Sequence, residues 1–198
     1  WRVDDIKEVG APLRTVLEQH DLNFHHSGIV LNRPNWFAEE AGFNPERMTG
    51  FVGARPDYYG NIFMPIDIGL VPLTNNPFNE AKSSLKGLEY ALSGIPFVAS
   101  DTQEYRDLAE LGVGRVAKRP RDWIKHLEEL LDPEVREAER QNNYRIVREN
   151  FDIWLMKYKW SEAIELICRD TKKKRKSDKI QSKGQTGFDP SKFLAVKN

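Results

Sequence analysis

The stretch from Phe78 to Asp101, FNEAKSSLKGLEYALSGIPFVASD, constrains the fold more than any other, because it joins a short polar loop to an amphipathic helix and then to an apolar run. On a wheel of about 100° per residue anchored at Lys82, Leu85, Leu88, Ala91 and Leu92 cluster between roughly 180° and 300°, and Lys86 and Glu89 fall within about 40° of Lys82. The spacing therefore predicts a helix over residues 83–93 that packs its leucine face and keeps Lys82, Lys86 and Glu89 on the other. Apolar runs at 67–71 (DIGLV) and 96–100 (PFVAS) flank it, the signature of a crossover helix between buried parallel strands.

A helix that starts beyond the carboxyl end of such a strand presents unpartnered N–H groups and a positive dipole end, and an anion placed there gains up to ~2 kcal/mol. Ser83 or Ser84 can cap this end and Lys82 adds a full charge beside it. Glu89, near the same meridian, offers a carboxylate that accepts hydrogen bonds from sugar hydroxyls. Phosphate at the helix end and ribose along the face would describe a nucleotide. The same residues also fit the wet side of a surface helix, with Lys86 and Glu89 as an ion pair worth about 0.3 kcal/mol.

Elsewhere short apolar runs alternate with helical periods, which predicts an α/β fold with a parallel sheet. Strands are expected at 23–26, 49–53, 67–71, 96–100 and 115–118. Helices are expected at 5–20 (restarting at Pro12), 36–41, 58–64, 83–93 and 103–111, followed by 121–131, 133–150 and 153–167. The last carries an apolar stripe of Trp154, Leu155, Tyr158, Ala163, Ile164 and Ile167, which either packs on its own domain or stays open for a partner chain. Gly112 and Gly114 form a G-x-G without the third glycine of a dinucleotide fingerprint.

The order DIGLVPL, FNEAKSSLKGLEYALSGIPFVASD, EYRDL resembles the donor half of the retaining glycosyltransferases with the GT-B fold, through Asn79, Lys82, Ser83, Lys86, Glu89, Tyr90, Gly94, Pro96, Val98, Ala99 and Ser100. Specific wording is confined to residues 67–101, within a weaker likeness over 1–166. The resemblance implies a Rossmann-like parallel sheet flanked by helices, one half of a GT-B fold, with extra C-terminal helices, and a nucleotide-diphosphate sugar as donor. By the same resemblance Lys82 and the amides near Ser83, Ser84 and Leu85 hold the donor diphosphate, and Glu89 holds the ribose hydroxyls. Asn79, Ala81, Lys86 and Tyr58 are further candidate donor-site contacts, and His25 and His26 a lesser pair. Ala81 stands where many members have a glutamate that touches the transferred sugar. No cofactor or metal is implied. The catalytic residues are not assigned, because the acceptor-binding wall of a GT-B enzyme belongs to an N-terminal domain or partner chain. The segment opening at Trp1 is read as a fragment or natural half lacking the first strand, so the chain alone is expected not to turn over.

Residues 1–168 are read as the nucleotide-sugar-binding domain and 169–198 as a basic, disordered tail, which holds ten Lys or Arg against three Asp, with the run Lys172 to Lys176 (KKKRK). Such a run suits solubility, nuclear import, or contact with nucleic acid or anionic membrane. The alternative function is accordingly a non-catalytic interaction module whose tail or last helix binds a protein or nucleic acid partner. Cys168 is alone, which excludes an internal disulfide and suits a reducing, cytoplasmic setting. No apolar run approaches the ~18 residues of a membrane span, and the histidines show no metal-ligand spacing.

Overall fold

A computed structural model describes residues 3–28, 36–42, 44–51 and 55–181. The chain divides into two units, Trp1–Phe151 and Asp152–Asn198. In the first, the elements run α1 (Val3–Gln19), β1 (Phe24–Ser27), α2 (Trp36–Ala41), β2 (Met48–Phe51), β3 (Gly69–Val71), α3 (Pro77–Glu80), α4 (Leu85–Leu92), β4 (Phe97–Ser100), α5 (Gln103–Glu110), β5 (Arg115–Ala117), α6 (Pro120–Leu131) and α7 (Pro133–Phe151). Short 3-10 helices at Pro45–Arg47 and Pro56–Phe63 precede β2 and β3.

All pairing among the described residues is parallel. β1 pairs with β2, and a separate sheet runs in the order β3-β4-β5. The fold is thus mixed α/β, with small parallel sheets flanked by helices. Alternation along β4 divides the core into two layers. Val98 faces a cluster built by Ile6, Val9, Leu13 and Val16 of α1 with Trp123, Leu127 and Leu130 of α6. Phe97 and Ala99 face the opposite cluster, which holds Tyr90, Ala91, Tyr105, Leu108 and Val147. The buried residues of α1 recur every three or four positions, as a helix laid on a sheet requires.

Several boundaries differ from expectation. α1 does not restart at Pro12 but runs through it. Pro12 is buried beside Leu13 and Val16, so packing offsets the lost backbone bond. α3 was not anticipated, although Asn76 and Pro77 supply an N-cap and a first-turn proline, and the Asn76 side chain accepts from the Asn79 N–H. α4 starts at Leu85 rather than residue 83, so Lys82 and Ser83 lie in the turn between α3 and α4. The expected face Leu85, Leu88, Ala91 and Leu92 holds at Ala91, which is buried, and at Leu88, which packs half-buried on the second cluster, and is corrected at Leu85 and Leu92, which are exposed while Gly87 and Tyr90 are buried. The reason is close approach at Gly87, where a Cβ would lie 2.7 Å from Phe97 Cζ and 2.9 Å from Tyr105 Cε1, so the helix seats on its glycine rather than on Leu85 and Leu92. Val52, Gly53 and Ala54, at the end of the expected second strand and in the loop after it, fall outside the described residues.

The second unit contains α8, Ile153–Gln181. It passes residue 168 and carries the Lys172 to Lys176 run within the helix, as the good helix propensity of Lys and Arg allows. Trp154, Leu155, Tyr158, Trp160, Ile164 and Ile167 are exposed on it. Residues 182–198 of the expected tail lie outside the described residues. No helix among those described is long and apolar enough to cross a membrane.

Candidate functional site

The carboxyl end of β3 is held by a buried carboxylate that sequence reasoning missed. Asp5, in the first turn of α1, is 1% exposed; its Oδ1 accepts from the Thr74 N–H at 2.9 Å and from Asn79 Nδ2 at 2.8 Å. Asn79 Nδ2 also donates to the Thr74 carbonyl, and the Leu73 N–H donates to Ser100 Oγ at 2.8 Å. Residues 73–79 are therefore pinned between α1 and β4. An aspartate early in a helix is ordinary dipole chemistry, so nothing in the sequence marks Asp5 as a long-range tie.

The candidate diphosphate residues follow this loop. Lys82 Nζ lies 3.9 Å from Asp5 Oδ2 and 5.2 Å from the Phe78 ring centroid, with its side chain 34% exposed. The ammonium is thus steered by Asp5 rather than left free. Ser83 and Leu85 are exposed and Ser84 is buried. Ser84 occupies the N-cap of α4 without a side-chain cap bond; its hydroxyl instead donates to Glu104 Oε2 at 3.4 Å. The first-turn amides of α4 are consequently not capped by this serine, although the Tyr105 hydroxyl sits at Gly87. Burial pushes the Tyr105 hydroxyl up to about 12, against the opposing pull of a hydrogen bond with the Gly87 backbone.

Glu89 lies on α4 within a polar triad. Lys86 Nζ donates to Glu89 Oε2 at 2.6 Å and to the Tyr59 hydroxyl at 2.7 Å, and the Tyr59 hydroxyl donates to the same Oε2 at 3.1 Å. Both bonds to Glu89 converge on one oxygen, and its partner Oε1 takes neither. Burial lowers the Lys86 pKa, but the bonds to Glu89 and Tyr59 outweigh it and hold the ammonium above its usual value. The fold delivers Tyr59, not Tyr58, to α4: Tyr58 is 58% exposed, and the choice between adjacent tyrosines depends on the phase of a 3-10 turn.

The other candidates are distributed as follows. Asn79 is 1% exposed and serves the loop; its Oδ1 has no hydrogen-bond partner among the described residues. Ala81 is exposed at the end of α3. His25 Nδ1 is 3.0 Å from Thr49 Oγ1, and His26 packs on Phe37 with ring centroids 4.9 Å apart. Burial lowers both imidazoles, His26 to about 4. Among the described residues no cluster of three His, Cys, Asp or Glu could hold a metal ion.

Two cavities open near these residues. The smaller, about 260 Å³, is lined by His25, His26, Ser27, Phe63, Lys86 and Tyr90. The larger, about 350 Å³, lies at the amino-terminal ends of β1 and β3, lined by Asn23, Phe24, Ile68, Leu70 and by Leu13 and Leu127 among others. That is the end opposite the start of α4, where open parallel sheets do not bind ligands. Lys82, Ser83, Ser84, Leu85 and Glu89 line neither. The structure thus brings together Lys86, Glu89 and Tyr59, and separately Lys82, Asn79 and Asp5.

No protein-family model matches the chain, and no curated protein matches it.

Proposed function

We propose that this chain is the donor-binding half of a retaining GT-B-type glycosyltransferase, with its sheets forming parts of one Rossmann-like layer. The observation that carries the reading is the start of α4: it lies beyond the carboxyl end of β3, its N-cap serine makes no side-chain cap bond, and Lys82 and Lys86 flank it, with Glu89 one turn on. The donor is a nucleotide-diphosphate sugar. Its diphosphate meets the amides of Ser84 and Leu85 and the Lys82 ammonium, which rotates away from Asp5. Its ribose hydroxyls donate to Glu89 Oε1.

In the complete enzyme the acceptor hydroxyl displaces the nucleotide diphosphate from the anomeric carbon with retained configuration. Lys82 and the helix end stabilise the charge that builds on the leaving diphosphate. An N-terminal acceptor domain or partner chain supplies the opposite wall of the cleft, so the 198 residues alone bind donor without turnover. The setting is cytoplasmic, consistent with a single cysteine, Cys168, exposed on α8.

Calorimetric titration with UDP, GDP and ADP tests this. One of the three binds, Lys82→Ala weakens it by about tenfold to a hundredfold, and Glu89→Ala by about tenfold, the scale of charge-assisted bonds lost. Silence across all three nucleotides overturns the reading. The exposed aromatic residues of α8 favour a second one, a non-catalytic interaction module that binds a protein or nucleic acid partner. That reading expects no nucleotide binding and unchanged behaviour of Lys82→Ala.

A further inference from the structure

We infer that the Tyr59 hydroxyl is the positioning group that aims the Glu89 carboxylate at a cis-diol, so that the site selects ribonucleotides over their deoxy forms. The inference rests on the nucleotide reading proposed above and adds to it the residue that sets sugar specificity.

Glu89 is held through one of its two oxygens. Oε2 accepts from Lys86 Nζ at 2.6 Å and from the Tyr59 hydroxyl at 3.1 Å, and the same hydroxyl accepts from Lys86 Nζ at 2.7 Å. Each carboxylate oxygen offers about two acceptor directions, so these two donors fill Oε2. Oε1 receives neither of them and keeps both of its own. The Glu89 side chain is 25% exposed and is approached from solvent. A fixed oxygen with two acceptor directions matches two hydroxyls on neighbouring carbons, each donating one bond. The 2′ and 3′ hydroxyls of a ribonucleotide supply that pair, whereas a deoxy form supplies half of it.

Tyr59 reaches Glu89 through an anchor of its own. An ordinary Lys-Glu pair three apart forms from a helix alone. Here a third member arrives from 27 positions before Lys86 and 30 before Glu89. The 3-10 segment Pro56–Phe63 delivers it and is fixed at its far end, where Phe63 is buried and meets the Tyr90 ring edge-on with centroids 5.6 Å apart. The Tyr59 ring in turn meets Phe63 edge-on at 5.6 Å. Tyr90 follows Glu89 on α4, so Glu89, Tyr59, Phe63 and Tyr90 close a circuit of contacts. Lys86 Nζ lies against it, 5.4 Å from the Tyr59 ring centroid and 5.6 Å from that of Phe63.

A carboxylate held in this way loses its rotamer freedom on folding rather than on binding, which is how preorganisation raises affinity. Tyr59→Phe keeps both ring contacts and removes only the hydroxyl. Glu89 is then fixed by Lys86 alone, and its carboxylate regains the broad χ3 rotation of a glutamate. Sugar selection falls while the packing around Phe63 stays.

Calorimetric titration of the 198-residue chain tests this with ADP, GDP and UDP, each compared with its 2′-deoxy and 3′-deoxy forms. For the nucleotide that binds the parent, each deoxy form is expected to bind about fivefold to tenfold more weakly, the low end for a bond to a charged acceptor because water replaces it. In Tyr59→Phe the ribonucleotide weakens and its advantage over either deoxy form falls to about twofold or less. Tyr58→Phe, at the exposed neighbour, keeps the parent ratio. The ratio separates aiming from folding, because a variant that merely loosened the site would weaken all forms alike. Tyr59→Leu is a second variant without the hydroxyl, and either one that folds by far-UV circular dichroism decides. Loss of the fold in both overturns the inference, since the residue is then structural. A parent ratio retained in the folded variant overturns it and leaves nucleotide binding standing, as does a parent indifferent to either deoxy form. Silence toward all three ribonucleotides overturns the nucleotide reading and the inference with it.

Discussion

Replacing Gly87 by alanine tests how α4 is seated, because two effects of opposite sign meet at one atom. In an exposed helix this change stabilises by about 1 kcal/mol through helix propensity. At Gly87 the new Cβ would stand 2.7 Å from Phe97 Cζ and 2.9 Å from Tyr105 Cε1. Phe97 is 1% and Tyr105 2% exposed, so neither ring can swing into solvent. Overpacking of this kind costs about 1–3 kcal/mol, and where both neighbours are boxed in the upper half of that range applies. The net expectation is a loss of about 1–2 kcal/mol, or roughly 0.5–1 M in the urea midpoint at an ordinary slope. Urea denaturation followed by far-UV circular dichroism reads it directly. Gly60→Ala is the control, since its Cβ meets nothing within 4 Å, and it should be neutral or slightly stabilising. A Gly87→Ala protein as stable as the parent would refute the claim that α4 seats on its glycine, and with it the account of why Leu85 and Leu92 are exposed.

His26 titrates at about 4 in the folded state against 6.5 unfolded, so between those values the unfolded chain binds more protons and stability rises with pH. Its contribution is complete above about pH 6.5 and falls by about 2 kcal/mol on going to pH 5; His26→Gln should flatten this step in denaturation curves, and an unchanged step would contradict it. Asp5→Ala strands the Thr74 N–H and leaves the Asn79 amide with the Thr74 carbonyl as its remaining acceptor, and thermal denaturation should register about 2–4 kcal/mol of lost stability, with Asp5→Asn less affected. An Asp5→Ala protein of parental stability would show that the tie is incidental.

Most elements between residues 67 and 151 were legible because each is decided locally: β4 is buried along its whole length, and α6 opens on Pro120 with an Arg119–Asp122 capping pair. The start of α4 was displaced by two residues because Lys82 and Ser83 have helix-compatible character, while the short α3 that claims the preceding residues is signalled only by Asn76 and Pro77. Leucine spacing found Leu88 and Ala91 but wrongly added Leu85 and Leu92 to the buried face, because it counts side chains and cannot see that a glycine permits closer approach. The coupling of Lys82 to Asp5 joins residues 77 apart in sequence, and the selection of Tyr59 over Tyr58 depends on how a 3-10 turn meets a helix. Neither leaves a periodic trace.

The Asp5 tie also orders events in time. Its hydrogen bonds to Thr74 and Asn79 span 69 and 74 positions, so they can close only after the chain through Asn79 is available. Contacts that close such long loops form late, because the entropy of closure is lost before the contact returns anything. During synthesis α1 therefore emerges ahead of β3 and α3 yet is tied to residues 73–79 only once they have followed, and until then the face of α1 that packs there is open to chaperones and to neighbouring nascent chains.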